Sequence, residues 1–374
     1  MTRLLLLLLG AAWLANAPAT AQYLWVNVSF KAVLNPTNGT RAYTFSEADV
    51  DATVSRMNQT LATYQRGFRV RRVDPLYDIG GPGQGGINGP SKWFWPSPRD
   101  PYPPNPGIRN QEQMDGEARG NPVAYRWNSG ALNFYVIAGF GPGADAGEGS
   151  YASGGYQIVT LGTVHNDLVI LHETGHWFEL IHTHGGCVRD ANNVCGSTAN
   201  CGIIAPFFGW RLGDDGIGDT LPVQAGDFCF TSRDNVTAAN FGVAYGFCTP
   251  EQQNLADDTY LNLMAYGFNK VLDRLTPQQL DKWTRYANNE RGFAISGRTR
   301  FVSATGNNAN SGLVPTAPKR TVLNAANAST GADIVLLRPG SYNEQITLNQ
   351  PVTLRVAPTN SFPAYARSAT IGRP

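Results

Sequence analysis

Residues 172–182 read HETGHWFELIH, and this stretch decides the interpretation of the whole chain. It continues the apolar run Leu168–Leu171, so the sequence predicts a buried helix that carries the histidines. Positions four apart lie on one helical face, and the side chains of His172 and His176 therefore lie one turn apart. Two such imidazoles can bind one zinc ion at about 2.0–2.1 Å each. Glu173 lies beside that position, where it can take a proton from water activated by the metal.

The spacing of the two histidines is modest evidence when it stands alone, because ordinary surface helices also carry histidine pairs. The surroundings strengthen the prediction. A predicted strand, GGYQIVTLG over residues 154–162, leads into the helix, and a further histidine, His182, follows His176 by six residues. We therefore predict that this helix holds a metal ion.

At this level of detail HETGHWFELIH resembles the metzincin pattern H-E-x-x-H-x-x-G-x-x-H. In that clan the helix stops at the glycine and a third histidine returns to the metal, which implies His182 as the third zinc ligand. The clan also has a methionine-containing turn beneath the zinc, and LNLMAYG over residues 261–267 is similar to it. The resemblance implies that Met264 shapes the floor of the site and that Tyr266 helps to bind the reacting carbonyl oxygen.

Finer features are similar to one branch, the pappalysin-like (cytophagalysin) metalloproteases. These features are HTHGGC after the helix, GDDGIGDTLPVQ over residues 213–224 and the N-x-M-x-Y form of the methionine turn. The resemblance covers roughly residues 23–292 and implies a zinc endopeptidase that acts on proteins or peptides. It also implies an α+β fold, with a mixed twisted sheet, an active-site helix and a backing helix above a loop-rich lower half.

A calcium site is a second metal prediction. Asp214, Asp215 and Asp219 lie in one acidic loop, and oxygen-rich loops of this kind suit calcium, which members of the family carry. A solvated acidic turn explains the same residues equally well.

One residue departs from the family pattern, since Glu179 stands where the family has glycine. In the first interpretation the helix ends there in a left-handed conformation, at a cost of about 1–2 kcal/mol that zinc binding, worth on the order of 10 kcal/mol, outweighs. In the second, the helix continues and Glu179 is itself a ligand, but three ligands along a straight helix span about 10 Å and cannot all contact one ion. In the third, the site is degenerate and inactive. We favour the first, because the other family residues are retained.

The opening of the mature chain predicts a βαβ unit. YLWVNVSFKAVL, from Tyr23, alternates apolar and polar residues and predicts a half-buried strand. A helix is predicted over residues 45–64, with Ser46 and Asp49 resembling a capping box. FRVRRV over residues 68–73 predicts the second strand. The strand–helix–strand order favours parallel pairing.

The chain divides into three predicted parts. Residues 1–21 have a positive end, an apolar run and a small-x-small cleavage site, which predicts a secretory signal peptide and a secreted protein. Residues 22–297 form the predicted catalytic domain, which ends with a closing helix that begins in LTPQQL, residues 275–280. Within it, residues 78–110 are so rich in glycine and proline that we predict a surface insertion without regular elements.

Residues 298–374 contain short β-runs and resemble the beginning of a right-handed parallel β-helix, as in pectin-lyase-like proteins. A solenoid normally needs three or more repeats to bury its core, so this short β-solenoid-like segment could dock on the protease domain, be a remnant, or pair with another subunit. Such folds often handle polysaccharide, and the segment could contact carbohydrate. In the insertion, Trp93, Phe94 and Trp95 could form a ligand platform or instead pin the loop to the body.

Composition excludes some classes of function. The net charge of +1 gives no basic surface for nucleic acid, and no apolar run is long enough to anchor the chain in a membrane. Five cysteines follow the histidine cluster, and in a secreted protein disulfides are the default interpretation. They are Cys187, Cys195, Cys201, Cys229 and Cys248. The alternatives to a protease are a catalytically inactive binding or adhesion protein that uses the C-terminal segment and the aromatic loop, and an enzyme that acts on carbohydrate.

Overall fold

The structure is a computed structural model, and a set of separate segments of the chain can be described. These are residues 23–82, 89–94, 111–138, 147–149, 157–183, 217–221, 233–265, 271–330, 333–349, 352–356 and 369–371. The predicted signal peptide and most of the cysteine-bearing loop lie outside them.

Seven α-helices lie in these segments. They are α1 (Glu47–Thr63), α2 (Gln111–Gly120), α3 (Asp167–Trp177), α4 (Arg233–Phe241), α5 (Pro250–Tyr260), α6 (Pro277–Asn289) and α7 (Val322–Asn327). None of these helices combines the length and apolar character that a membrane span requires.

Twelve strands form three sheets in the same segments. The main sheet contains β1 (Leu24–Leu34), β2 (Phe68–Arg72), β3 (Tyr77–Gly80), β4 (Leu132–Val136), β5 (Gly147–Gly149), β6 (Ile158–Leu161) and β7 (Ile295–Ser296). The other strands are β8 (Thr299–Val302), β9 (Ile334–Leu337), β10 (Gly340–Tyr342), β11 (Thr353–Val356) and β12 (Ala369–Ile371).

The long strand β1 organises the main sheet, whose order is β2-β1-β4-β6-β5. It pairs in parallel with β2, β3 and β4, and β4 pairs in parallel with β6. β5 and β7 run antiparallel to their neighbours, so the sheet is mixed, as predicted. The βαβ prediction is also confirmed, because α1 connects two adjacent parallel strands.

Two cores cover the two faces of this sheet. The main core packs one face against α1, α3 and α6, through Val28 and Phe30 of β1 among others. The prediction that β1 is half-buried is wrong, because Ser29 and Lys31 on its other face are fully buried. That face carries a second apolar cluster, which includes Met114 of α2. Burial on both faces is typical of strands in largely parallel sheets.

Helix capping follows the sequence closely. Ser46 and Asp49 form the predicted capping box of α1, in which each side chain accepts a hydrogen bond from the other residue's backbone N–H. α6 begins with the same device at Thr276 and Gln279. α5 also begins this way, at Thr249, although the sequence analysis did not predict that helix.

The Gly/Pro-rich insertion differs from its prediction in two respects. Its first residues belong to β3, and a 3-10 turn spans Pro90–Trp93. Trp93 and Phe94 are both buried in the second core, so neither is available as an exposed ligand platform. The indole Nε1 of Trp93 also donates to Glu117 of α2 at 3.0 Å, which pins the loop to the body. Trp95 lies outside the described residues.

The C-terminal segment consists of parallel ladders. β9 pairs in parallel with both β8 and β11, and β10 pairs in parallel with β12. The segment packs against the part of the chain that precedes residue 298, which is one of the three alternatives left open by the sequence. Ile334 of β9 belongs to the main core, and Asp281 of α6 forms an ion pair with Arg338 across the junction as well as one with Arg66 on its own side.

Asn288 of α6 closes this junction. Its Nδ2 donates to the carbonyls of Thr299 and Leu313 at 2.9 Å, and its Oδ1 accepts the Thr299 N–H at 2.9 Å. All of this lies in a buried environment, where water cannot replace the lost bonds.

We expect Asn288→Ala to lower the free energy of unfolding by on the order of 3 kcal/mol, because it leaves buried backbone groups unpaired. Asn289→Ala, at the exposed neighbouring position, is the control and should change it by no more than about 0.5 kcal/mol. Urea unfolding followed by circular dichroism measures both. Equal effects would contradict this role.

Lys31 is a buried cation inside the sheet. Its Nζ donates to Asn133 Oδ1 at 2.5 Å and to the Ser29 carbonyl at 3.3 Å. Desolvation by burial lowers the pKa of Lys31 to about 7, and the charge of Asp74 opposes that shift only in part. The unfolded chain therefore binds more protons than the native chain between pH 7 and about 10, and the unfolding free energy contributed by this group rises with pH there.

We expect Lys31→Met to raise the melting temperature most below pH 7, where burying the ammonium costs on the order of 5 kcal/mol. The advantage of the variant over the parent should shrink steadily toward pH 10. Thermal melts at pH 6, 8 and 10 in a metal chelator measure the difference, and a difference independent of pH would refute the explanation.

Candidate metal centre

Helix α3 carries two of the three clustered histidines, and the sequence of the helix explains where it begins and why it is buried. Asn166 caps it, because the side chain accepts a hydrogen bond from the Val169 N–H at 3.1 Å. Apolar residues anchor α3 in the main core, and His172, Glu173 and His176 are themselves buried. A rigid, buried helix of this kind fixes the side chains that a metal site needs.

Three imidazoles converge at the end of α3. The Nε2 atom of His176 lies 3.1 Å from that of His172 and 3.0 Å from that of His182. The third side of the triangle, from His172 to His182, is 3.2 Å. Two nitrogens bound tetrahedrally to one zinc at about 2.0–2.1 Å lie about 3.3 Å apart, so the triangle fits that ion. Among the described residues, no other group of three His, Cys, Asp or Glu side chains is placed to hold a metal.

The backbone sets the tautomer of two of these rings. His172 Nδ1 donates to the Leu263 carbonyl at 2.6 Å, and His176 Nδ1 donates to the Leu180 carbonyl at 2.7 Å. A carbonyl can only accept, so the proton lies on Nδ1 and the lone pair of Nε2 points into the triangle.

Burial also favours the neutral form of the His172 ring. Desolvation lowers the pKa of His172 to about 4, although its hydrogen bond to Leu263 opposes the shift. At neutral pH this imidazole is therefore unprotonated at Nε2, which is the form that binds a metal.

The turn after α3 explains how Glu179 replaces glycine. Glu179 has a φ of 65°, in the left-handed region. Its N–H donates to the His176 carbonyl at 2.8 Å, and the Leu180 N–H donates to the Gly175 carbonyl at 2.9 Å. These two bonds form a Schellman motif, the usual glycine-dependent end of a helix. The left-handed helix end of the first interpretation is confirmed, and the second interpretation is wrong, because the helix ends at Trp177.

Met264 lies directly beneath α3. A Cβ added to Gly175 would lie 2.6 Å from the Met264 sulfur, which explains why the helix has glycine there. The Met264 carbonyl accepts the Thr183 N–H at 3.2 Å, so the same turn also holds the chain beside His182. Met264 is completely buried.

Two buried amides support the methionine turn. Asn262 Nδ2 donates to Gln279 Oε1 at 2.9 Å, and Gln279 Nε2 donates back to Asn262 Oδ1 at 3.1 Å. Asn262 Oδ1 also accepts the Met264 N–H at 2.9 Å. The closing helix α6 thereby positions the turn whose Leu263 carbonyl accepts the hydrogen bond from His172 Nδ1. In the sequence Asn262 stands out only as the first residue of the N-x-M-x-Y pattern, and nothing near it indicates its pairing with Gln279.

Asp219 is the one described residue of the three that the calcium prediction names. Asp219 accepts hydrogen bonds from the Thr276 hydroxyl at 2.5 Å and from the Gln278 N–H at 2.9 Å, and it thus caps the start of α6. Burial raises its pKa. The calcium site therefore stays a prediction. The other two acidic residues of the prediction, Asp214 and Asp215, lie outside the described residues.

Several further predicted residues lie outside the described residues. They are Tyr266, Cys187, Cys195, Cys201 and Cys229. Cys248 is described and buried, and its thiol donates to the Ala244 carbonyl at 3.7 Å. The role of Tyr266 and the predicted disulfides therefore stay predictions.

Comparison with known proteins gives only a distant likeness. No protein-family model matches the chain, and no curated protein matches it. Mature mirolysin of Tannerella forsythia in complex with a cleaved peptide is 14% identical, with a TM-score of 0.42, over 73% of this chain and 95% of that chain. Mirolysin in complex with compound 9 is 13% identical, with a TM-score of 0.39, over 72% of this chain and 95% of the other. The assignment of the metal centre therefore depends on the geometry of its own residues.

We expect Gly175→Ala to lower the free energy of unfolding by about 1–3 kcal/mol, because its Cβ would overlap the buried Met264 sulfur. Adding Met264→Ala should remove most of that penalty relative to Met264→Ala alone. Gly116→Ala in α2 is the matched control, since the new Cβ meets nothing within 4 Å and should stabilise the helix by up to about 1 kcal/mol. Denaturant unfolding of the four variants tests the contact, and a Gly175 penalty independent of residue 264 would argue against it.

Proposed function

We propose that the chain is a secreted zinc-dependent endopeptidase of the pappalysin-like branch of the metzincins. The observation that carries the proposal is the triangle of three Nε2 atoms, no side longer than 3.2 Å, formed by His172, His176 and His182. The tautomer set at two of the rings supports it, because every nitrogen that the backbone leaves unprotonated points to the same place. Three neutral imidazoles are a typical ligand set of catalytic zinc, which keeps a further position open.

Different residues of the chain are assigned different roles in peptide hydrolysis. Zinc, when bound, supplies the Lewis acidity that activates water and polarises the scissile carbonyl. Glu173 follows the first ligand on the same buried helix, and we assign it the role of general base that takes a proton from the attacking water. It then delivers that proton to the leaving amine. Tyr266 is proposed to donate a hydrogen bond to the developing oxyanion.

The remaining parts of the proposal concern the rest of the chain. Residues 1–21 are proposed to direct secretion, and residues 22–297 to form the catalytic domain. Residues 298–374 are proposed to begin a β-solenoid, and the parallel ladders of β8, β9 and β11 support this. Asp214, Asp215 and Asp219 are proposed as calcium ligands. We do not favour an adhesion protein that uses an aromatic loop, because Trp93 and Phe94 are buried.

The decisive variant is Glu173→Gln, which keeps the size of the side chain and removes the base. We expect wild type to bind one zinc ion per chain and to cleave casein, and the variant to retain zinc but lose at least about 100-fold in kcat/KM. Metal analysis and a fluorescent casein assay measure the two properties.

Glu251→Gln, at an exposed position in α5, is the matched control and should keep full activity. Zinc bound by a chain that cleaves nothing, or cleavage that is unchanged in Glu173→Gln, would refute the protease assignment. The first of these results would favour a binding protein.

A further inference from the structure

Arg291 is a buried arginine that contacts the end of the helix carrying the metal ligands. It lies two residues after α6, and only 2% of its surface is exposed. Its Nε donates to the carbonyl of Trp177, the last residue of α3, at 3.0 Å. The guanidinium carbon also lies over the Trp177 ring, 4.6 Å from its centre. The planar guanidinium of arginine can make both contacts at once.

The hydrogen bond from Arg291 completes the C-terminal cap of α3. A helix leaves its last carbonyls without partners inside the helix. Backbone N–H groups of the turn donate to the preceding carbonyls, which are those of Thr174, Gly175 and His176. The Trp177 carbonyl comes next, and its donor is a side chain 114 positions away in the sequence. Trp177 is completely buried, so water cannot replace that donor.

The backbone on both sides of Arg291 is fixed. Its N–H donates to the Tyr286 carbonyl of α6 at 2.9 Å, and its carbonyl accepts the Ala294 N–H at 3.0 Å. Strand β7 follows and pairs with β1 of the main sheet. The guanidinium therefore reaches α3 from a rigid support, which allows it to fix the position of the helix end.

We propose that Arg291 is a positioning residue of the metal centre, whose Nε holds the end of α3 and thereby the turn that brings His176 and His182 together. Arg291 acts through the backbone of Trp177, the residue that directly follows the ligand His176. Because these ligands belong to the proposed zinc site, this inference rests on the proposed function.

The turn after Trp177 connects this hydrogen bond to two ligands. The Leu180 carbonyl accepts the hydrogen bond of His176 Nδ1 at 2.7 Å. His182 follows two residues later, and the Nε2 atoms of the two rings lie 3.0 Å apart. Without its donor, the buried Trp177 carbonyl would favour a rotated peptide or a frayed last turn. Either change alters the orientation of one imidazole and the position of the other, and groups that orient ligands typically influence metal affinity by about 10–100-fold.

Two substitutions of equal length test the hydrogen bond. The amide nitrogen of glutamine lies as many bonds from the backbone as the Nε of arginine, whereas methionine has no donor there. We expect Arg291→Met to weaken zinc affinity by about 10-fold and to change the visible spectrum of the cobalt-substituted protein. Arg291→Gln should stay within about threefold of wild type, because it retains the donor. Competition with a chromophoric chelator measures the affinities.

Two controls separate positioning from a general loss of stability. Asn288→Ala breaks buried hydrogen bonds at the junction with the C-terminal segment, so it should lower the melting temperature. It should nevertheless leave zinc affinity within about twofold of wild type and the cobalt spectrum unchanged. Arg285→Met removes an exposed arginine of α6 and should change neither zinc affinity nor the cobalt spectrum.

Wild-type affinity and an unchanged cobalt spectrum in Arg291→Met would overturn the inference. Equal losses of affinity in Arg291→Met and Arg291→Gln, or in Arg291→Met and Asn288→Ala, would also overturn it. If Arg291→Met does not fold, Arg291→Asn takes its place, since its amide is one methylene too short to reach the carbonyl. If wild type binds zinc but cleaves no casein, the proposed function fails, and the affinities of the same variants still decide the role of Arg291.

Discussion

The metal centre depends on the place where one helix stops. If α3 continued beyond Trp177, the third imidazole would move along the helix axis and could not reach the other two. The Schellman turn reverses the chain within three residues, and its carbonyl at Leu180 at the same time orients His176. The end of the helix therefore both recruits the third ligand and orients the second. These two roles explain why several contacts hold the turn. They are its backbone hydrogen bonds, the packing of Met264 against Gly175, and the hydrogen bond from the buried Arg291 to the Trp177 carbonyl.

A second layer makes this geometry rigid. The Asn262–Gln279 pair joins the methionine turn to α6, and Asp219 joins the start of α6 to the acidic loop. Asn262 and Gln279 are polar and buried, and Asp219 is half-buried, so each would be costly if its partner were absent. Such a network tolerates few alternative arrangements, which is what a site with three converging nitrogens requires.

Local signals in the sequence predicted the elements that depend on local physics. The alternation in β1 and the capping box of α1 identified those elements, because the interactions involve residues within a few positions of each other. The same box at Thr249 marks α5 and was overlooked although the signal was present. The histidine spacing predicted the imidazole cluster for the same local reason, with the family resemblance adding His182.

Features that depend on distant residues were not accessible in this way. Nothing around Lys31 indicates that α2 covers its face of the sheet, and nothing around Arg291 indicates that it meets Trp177, 114 positions earlier. The burial of Trp93 was one of two open alternatives, because an aromatic residue suits a core and a ligand surface equally well. Tertiary contacts settle such cases.

The junction between the two parts of the chain has a consequence for how they evolve. Ile334 belongs to the main core, and a side chain at Gly67 would collide with it at 2.6 Å. A segment packed in this way cannot be exchanged between proteins as an independent module. Its replacement would have to reproduce both the apolar contact of Ile334 with the main core and the hydrogen bonds that Asn288 makes across the junction. Recombination at residue 297 would therefore be selected against, and the two parts are expected to be inherited together.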